Sequence, residues 1–175
     1  RLSLVGSEMC IRDSTYTAYS PAGAAVGLAR TRDFEKVERI GLILPPNNKD
    51  ACLFSQQFDG RWAILQRPNA GGGLENIWLA YSPDLIHWGN PHCVLTEGKG
   101  PAWDAVKVGA GPPPLLTSYG WLLLYHGIKL YAGQMAYRVG AALLDKNEPH
   151  KVLARTPRCI FKALEQYEYL SLIHI

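Results

Sequence analysis

Long apolar runs are missing from this sequence. No segment approaches the length that crosses a bilayer as a helix, which leaves out a helical membrane protein. Positive charge is present but never concentrated: 18 Lys and Arg stand against 15 Asp and Glu, a formal net charge of +3. Without a basic run or a helical stripe of cations, a nucleic-acid partner is not expected. Cysteine is scarce, with four in 175 residues. Cys10 lies in an atypical amino-terminal stretch, and Cys52, Cys93 and Cys159 are too far apart for metal-ligand spacing. They read as small buried hydrophobes of a reducing, cytoplasmic setting. No ligand cluster or dinucleotide motif occurs, so neither a metal nor an organic cofactor is expected. Helical periodicity is also sparse, which points to an all-β chain.

What is abundant is turn chemistry, with 17 Gly and 12 Pro between short apolar segments. "TYTAYS" alternates as a strand, and "AAVGLARTRDFEKVERIGLIL" reads as strand, turn at Thr31-Arg32-Asp33, and strand. "ACLFSQQFDGRWAILQRP" predicts a hairpin around Asp59-Gly60, a type I′ signal. "LLTSYGWLLLYHG" predicts another, turning at Tyr119-Gly120. Two of these units align at a spacing of about fifty residues, within the range of propeller blades. Leu28-Ala29 matches Leu79-Ala80, Asp33 matches Asp84, and Leu44 matches Leu95. "RVGAALLDKNEPHKVLART" reads as a third, more degenerate copy. Asp33 and Asp84 are best read as turn residues whose carboxylates accept local backbone hydrogen bonds.

The stretch from Trp103 to Gly127 concentrates the chemistry. Lys107 lies between valines in a run that opens into Gly109, Ala110 and Gly111, and such a lysine is costly to bury unless paired. Pro112 to Pro114 stiffen the exit, and the next apolar strand ends in Tyr125-His126-Gly127. Lys49 leads into an apolar strand, and Arg67 ends one, before Pro68 and a glycine run. Cations beside glycines at strand ends suit a small anionic ligand. Asp104 is the most tempting carboxylate, suited to sugar hydroxyls or to an ion pair with Lys107. Tyr19, Trp78, Trp121 and Tyr125 are sugar-platform candidates by composition.

The motifs "WDAVKVGAGPPP", "GWLLLYHG" and "YRVGAALLD", with "TYTAYS", "NKDACLF", "QRP" and "NIWLAYSPDLIHWG", resemble glycoside hydrolase family 130, the β-mannoside phosphorylases and related β-mannosidases. The resemblance covers nearly all of Thr15 to Tyr169. It implies a five-bladed β-propeller, of which this chain would supply roughly three blades. It implies inverting phosphorolysis of a β-mannoside to α-mannose 1-phosphate, with the oligosaccharide and inorganic phosphate as partners. It places phosphate-binding residues at Lys49, Arg67, Lys107 and His126, and a substrate-binding role suits Asp104. Lys49 stands where some members carry arginine, and Gln66 where a histidine is common. The family's general acid is an aspartate upstream of Thr15, so no catalytic residue is assigned within residues 15–169. An inverting hydrolase needs two carboxylates, whereas phosphate is itself anionic. A phosphorylase should therefore show converging cations without a carboxylate pair. Two rivals are a phosphate-independent β-mannosidase of the same family and a non-catalytic glycan-binding propeller. Homo-oligomerisation is left open.

The ends read differently. Met9 to Ser14 can be encoded by ATG-TGT-ATA-AGA-GAC-AGN, whose complementary strand begins CTG-TCT-CTT-ATA-CAC-AT and reads Leu-Ser-Leu-Ile-His-Ile, the residues Leu170 to Ile175. The expectation is that residues 1–14 and 170–175 derive from a library adapter, leaving 15–169 as a fragment of a catalytic domain that is inactive alone.

Overall fold

A computed structural model describes residues 3–8, 11–69, 75–131 and 133–163. The glycine run after Arg67 and the carboxy-terminal residues 164–175 lie outside these. Among the described residues every regular element is a strand, arranged in three antiparallel sheets. The first contains β1 (Ser3–Glu8), β2 (Ile11–Ser20), β3 (Gly23–Thr31) and β4 (Val37–Leu44) in chain order. The second contains β5 (Asn48–Leu53), β6 (Trp62–Pro68), β7 (Ile77–Ser82) and β8 (Gly89–Leu95), also in order. The third is built on β10 (Leu115–Thr117), β11 (Gly120–Tyr131), β12 (Gln134–Leu144) and β13 (Val152–Arg155). There β9 (Lys107–Ala110) pairs with β11, and β14 (Phe161–Lys162) pairs with β12.

The turns follow from their residues. Asp59 and Gly60 both have positive φ, 50° and 72°, between the bridged Phe58 and Arg61, as the type I′ signal requires. The second predicted hairpin is displaced by one residue. Thr117 pairs with Gly120, so the loop is Ser118-Tyr119. Gly120 serves a different need, since a Cβ there would lie 2.3 Å from the carbonyl oxygen of Leu144 on β12. The repeated aspartates occupy equivalent turns. Asp33 Oδ1 accepts N–H bonds from Glu35 and Lys36 at 3.0 and 2.9 Å. Asp84 Oδ1 accepts them from Ile86 and His87, both at 2.9 Å. Asp145 Oδ1 does the same for Asn147 and Glu148 at 2.9 Å, which marks the degenerate third copy.

The second sheet is covered on both faces, which explains why β6 reads as a nearly unbroken apolar run. Alternate side chains go to opposite faces of a strand. Ile64 and Ala80 join Val26, Leu28 and Leu44 of the first sheet in one core cluster. Ala63, Leu65, Ile77 and Leu79 join Val108, Trp121, Leu123 and Tyr125 of the third sheet in another. Trp121 is the hub of that second core, edge-on to Phe54 at 5.1 Å and to Phe58 at 5.8 Å. The first seam is also tied by Thr15 Oγ1, which donates to the Ala51 carbonyl at 2.9 Å. Asp13 is buried on β2, where Arg30 Nε donates to its Oδ1 at 2.7 Å.

Of the described cysteines, Cys52 is buried, Cys159 partly buried and Cys93 exposed, and none of the three is in a disulfide. The uniform burial expected of them fails at Cys93 because it faces outward on β8, the edge strand of its sheet.

Candidate functional site

The seam between the second and third sheets gathers the cations. On β5 and β6, Lys49 is the cross-strand partner of Arg67, and directly opposed residues share a face. On β9 and β11, Gly109 opposes His126 and Lys107 opposes Ile128, so Lys107 and His126 share a face two registers apart. The sheets are stitched at this point by the Val108 N–H, which donates to the Glu75 carbonyl at 3.1 Å.

Arg67 stands at the centre with 3% of its surface exposed. A guanidinium that deep requires opposite charge, because desolvation is otherwise prohibitive. Its Nη2 lies 3.0 Å from Asp50 Oδ2 and 3.2 Å from Glu75 Oε2. Each carboxylate also reaches across the seam. Asp50 Oδ2 is 3.4 Å from His126 Nε2, and Glu75 Oε1 is 3.7 Å from Lys107 Nζ. Neither Asp50 Oδ2 nor Glu75 Oε2 forms an aligned hydrogen bond among the described residues, so these contacts are Coulombic. Arg67 Nε and Nη1 are buried and lack a hydrogen-bond partner among the described residues.

Backbone geometry makes this approach fit. Asp50 sits in a register shift of the β5–β6 ladder with φ of 52°, which turns its carboxylate toward the third sheet. A Cβ at Gly109 would fall 2.4 Å from His126 Cε1 and 2.5 Å from Asp50 Oδ2. Glycine at that position is what lets the imidazole and the carboxylate meet. Beside Arg67, the buried Asn48 Nδ2 donates to Gln66 Oε1 at 2.6 Å, so Gln66 braces the start of β5. Lys49 is half-buried on the same face and has no ion pair among the described residues.

The structure therefore draws Arg67, Lys107 and His126 together, with Lys49 beside them by register. It departs from the sequence expectation in one respect. The cluster is not free of carboxylates, because three or four cations at a buried seam need counter-charge, and Asp50 and Glu75 supply it. Both escaped the sequence reading. The sole local signal was Asp50 following Lys49 at the mouth of an apolar strand.

Asp104 belongs to a separate network. Its Oδ2 accepts from Tyr125 Oη at 2.9 Å and from Arg155 Nη2 at 2.6 Å. Arg155 Nε donates to Tyr125 Oη at 2.9 Å, and Nη1 to the Thr96 carbonyl at 2.9 Å. The carboxylate facing Lys107 is thus Glu75, and the ion pair of Asp104 is with Arg155. Burial pushes the Tyr125 hydroxyl well above the usual phenolic range, outweighing the Arg155 hydrogen bond. Trp103 packs beside Tyr125 at 5.4 Å between centroids, in space left by Gly127 and Gly140. Trp121 and Tyr125 are both 0% exposed and are core residues, not sugar platforms. Tyr19, at 87%, is open to solvent on β2.

Comparison with known proteins gives consistent matches. A family model described as beta-1,4-mannooligosaccharide phosphorylase, of glycoside hydrolase family 130, matches residues 1–171. The beta-1,2-mannobiose phosphorylase of Listeria innocua is 40% identical over 154 residues, covering 87% of this chain and 42% of that enzyme. The beta-1,4-mannooligosaccharide phosphorylase of Ruminococcus albus is 33% identical over 145 residues, covering 82% of this chain and 43% of that one. The chain thus spans less than half the length of these relatives. The solved Listeria innocua enzyme, in complex with beta-1,2-mannobiose, superposes with a TM-score of 0.86 at 37% identity over 96% of this chain and 46% of that one. A glycosyl hydrolase from Bacteroides ovatus shares the fold at 20% identity, with a TM-score of 0.81 over 95% of this chain and 53% of that one.

Proposed function

This chain belongs to glycoside hydrolase family 130, and from that membership we propose that the whole protein is an inverting β-mannoside phosphorylase built on a five-bladed β-propeller. The three sheets described here would be three of its blades. Inorganic phosphate attacks the anomeric carbon on the face opposite the leaving sugar. The anomeric C–O bond to the acceptor breaks, and an aspartate upstream of Thr15 supplies the proton to the departing oxygen. The products are α-mannose 1-phosphate and a shortened acceptor.

The observation that carries the reading is Arg67: buried, held at Nη2 by two carboxylates, with Nε and Nη1 left without partners among the described residues. Two unsatisfied N–H donors on a guanidinium held in place suit anionic oxygens, one oxygen to each donor. Lys107, His126 and Lys49 add charge around it, and Asp104 is assigned to sugar hydroxyls through the oxygen that Arg155 and Tyr125 leave unused. A second reading, phosphate-independent hydrolysis, draws support from the presence of Asp50 and Glu75. Both lie within 4 Å of the Arg67 guanidinium and of a second basic side chain, which suits counter-charges better than a base that must take a proton from water.

The test uses the full-length protein, obtained by reading the source DNA outward past Thr15 and Tyr169, which also tests the adapter origin of the ends. A panel of β-mannosides is incubated with and without phosphate. Mannose 1-phosphate formed only with phosphate is the expected result, and the substrate accepted names the linkage. Free mannose in equal yield under both conditions establishes hydrolysis instead.

A further inference from the structure

The two carboxylates at the seam have a shared geometry that the reaction itself does not require. Asp50 and Glu75 both belong to the second sheet or its connections. Each touches Nη2 of the same arginine, at 3.0 and 3.2 Å. Each then reaches one basic side chain of the third sheet, His126 at 3.4 Å and Lys107 at 3.7 Å. Arg67 is thereby held from one corner only, and its other two nitrogens, Nε and Nη1, face no protein acceptor among the described residues.

Building on the phosphorylase reading, we infer that Asp50 and Glu75 are positioning residues that bracket Arg67, Lys107 and His126 across the sheet seam and so shape the phosphate cradle. Two carboxylates on one Nη2 fix the orientation of the guanidinium plane and occupy the nitrogen common to both of its bidentate edges, which leaves Nε and Nη1 as two separate donors on either side of Cδ. The cross-seam contacts fix the distance from those donors to the Lys107 ammonium and the His126 ring. Gly109 belongs to the same arrangement, because any side chain there would occupy the space between Asp50 Oδ2 and His126. The backbone contact from Val108 N–H to the Glu75 carbonyl holds the bracket in register with β9.

The inference has a signature that simple charge balance lacks. If the carboxylates only offset positive charge, neutralising one makes the cradle more positive and phosphate binds more tightly. If they position the cations, neutralising one frees the guanidinium and phosphate binds more weakly. The variants are Asp50→Asn and Glu75→Gln in the full-length protein, with Glu75→Asp as a conservative control. Steady-state kinetics are measured with mannoside and with inorganic phosphate varied separately, alongside the thermal midpoint. The expected result is a KM for phosphate raised on the order of tenfold, the size of one charge-assisted hydrogen bond, with the KM for the mannoside changed less than about threefold. Glu75→Asp should recover part of the loss. An unchanged or lowered KM for phosphate, or a parallel loss for both substrates with a depressed midpoint, overturns the inference. Failure of the underlying reading is separable, since it appears in the wild-type protein as product release that ignores phosphate.

Discussion

At the scale of single residues, the site depends on what Gly109 does not carry. In Gly109→Ala the new methyl would meet His126 Cε1 at 2.4 Å, Asp50 Oδ2 at 2.5 Å and His126 Nε2 at 2.7 Å. These are side-chain atoms, so the backbone survives while the imidazole and the carboxylate are pushed apart. Overpacking of this kind costs about 1–3 kcal/mol. The expected outcome is a thermal midpoint lowered by several degrees and, in the full-length protein under the proposed function, a fall of about tenfold or more in kcat/KM for phosphate. A variant with wild-type kinetics would show that His126 and Asp50 need not approach. The four cations were legible as residues because lysine and arginine beside valine, glycine and proline conflict with their surroundings. Their counter-charges were not legible. Asp50 looks like half of a solvated Lys-Asp pair until the register shift and its φ of 52° turn it inward. Glu75 meets Lys107 across 32 positions of sequence, and the pairing of Asp104 with Arg155 spans 51, distances over which no local pattern carries information.

At the scale of elements, the repeated turn is the unit that sets each hairpin. Backbone N–H groups, those of His87 and Ile86 together with the His87 ring, hold the Asp84 carboxyl far below the usual carboxylate range. Asp33, through Lys36 and Glu35, and Asp145, through Glu148 and Asn147, are lowered by the same cause. A depressed folded-state pKa gives stability that is fully present above the unfolded value of 3.8 and is lost as pH falls toward the folded one. Asp84→Ala should therefore lower the thermal midpoint at neutral pH and shrink the further decline seen below about pH 4. Asp84→Asn should retain part of the turn through its amide oxygen while losing the acid dependence. Equal acid sensitivity in all three proteins would remove the turn aspartates from the account. These turns were legible because the whole device fits in four residues. The position of the Ser118-Tyr119 turn was not, since Gly120 answers to the carbonyl of Leu144, at the far end of β12.

At the scale of the whole molecule, the sheets are held by shared cores and by a few polar bridges, and one of these bridges contains a histidine whose pKa is lowered. His92 on β8 stacks on His150, in the turn after β12, with ring centroids 4.3 Å apart and planes at 21°. Tyr81 Oη lies 3.5 Å from His150 Nδ1, and Arg61 lies over the Tyr81 ring at 4.7 Å. Glu148 Oε1 is 4.0 Å from His150 Nε2, while Lys151 and Asp145 act on it from a greater distance. Burial first, and then the neighbouring His92, lower the pKa of His150 below its ordinary 6.5. The sign follows from proton counting. Below 6.5 the unfolded chain binds a proton that the folded chain resists, so stability falls as pH drops from that value toward the folded pKa. Protonating His150 would also place its charge against the stacked His92 ring, between the second and third sheets. The expected outcome is a urea midpoint that falls between about pH 7.5 and about pH 5.5. In His150→Gln, which keeps a polar partner for Tyr81 without a titrating ring, that fall should be visibly smaller. If the two proteins decline in parallel, the acid sensitivity of the seam arises elsewhere than at His150.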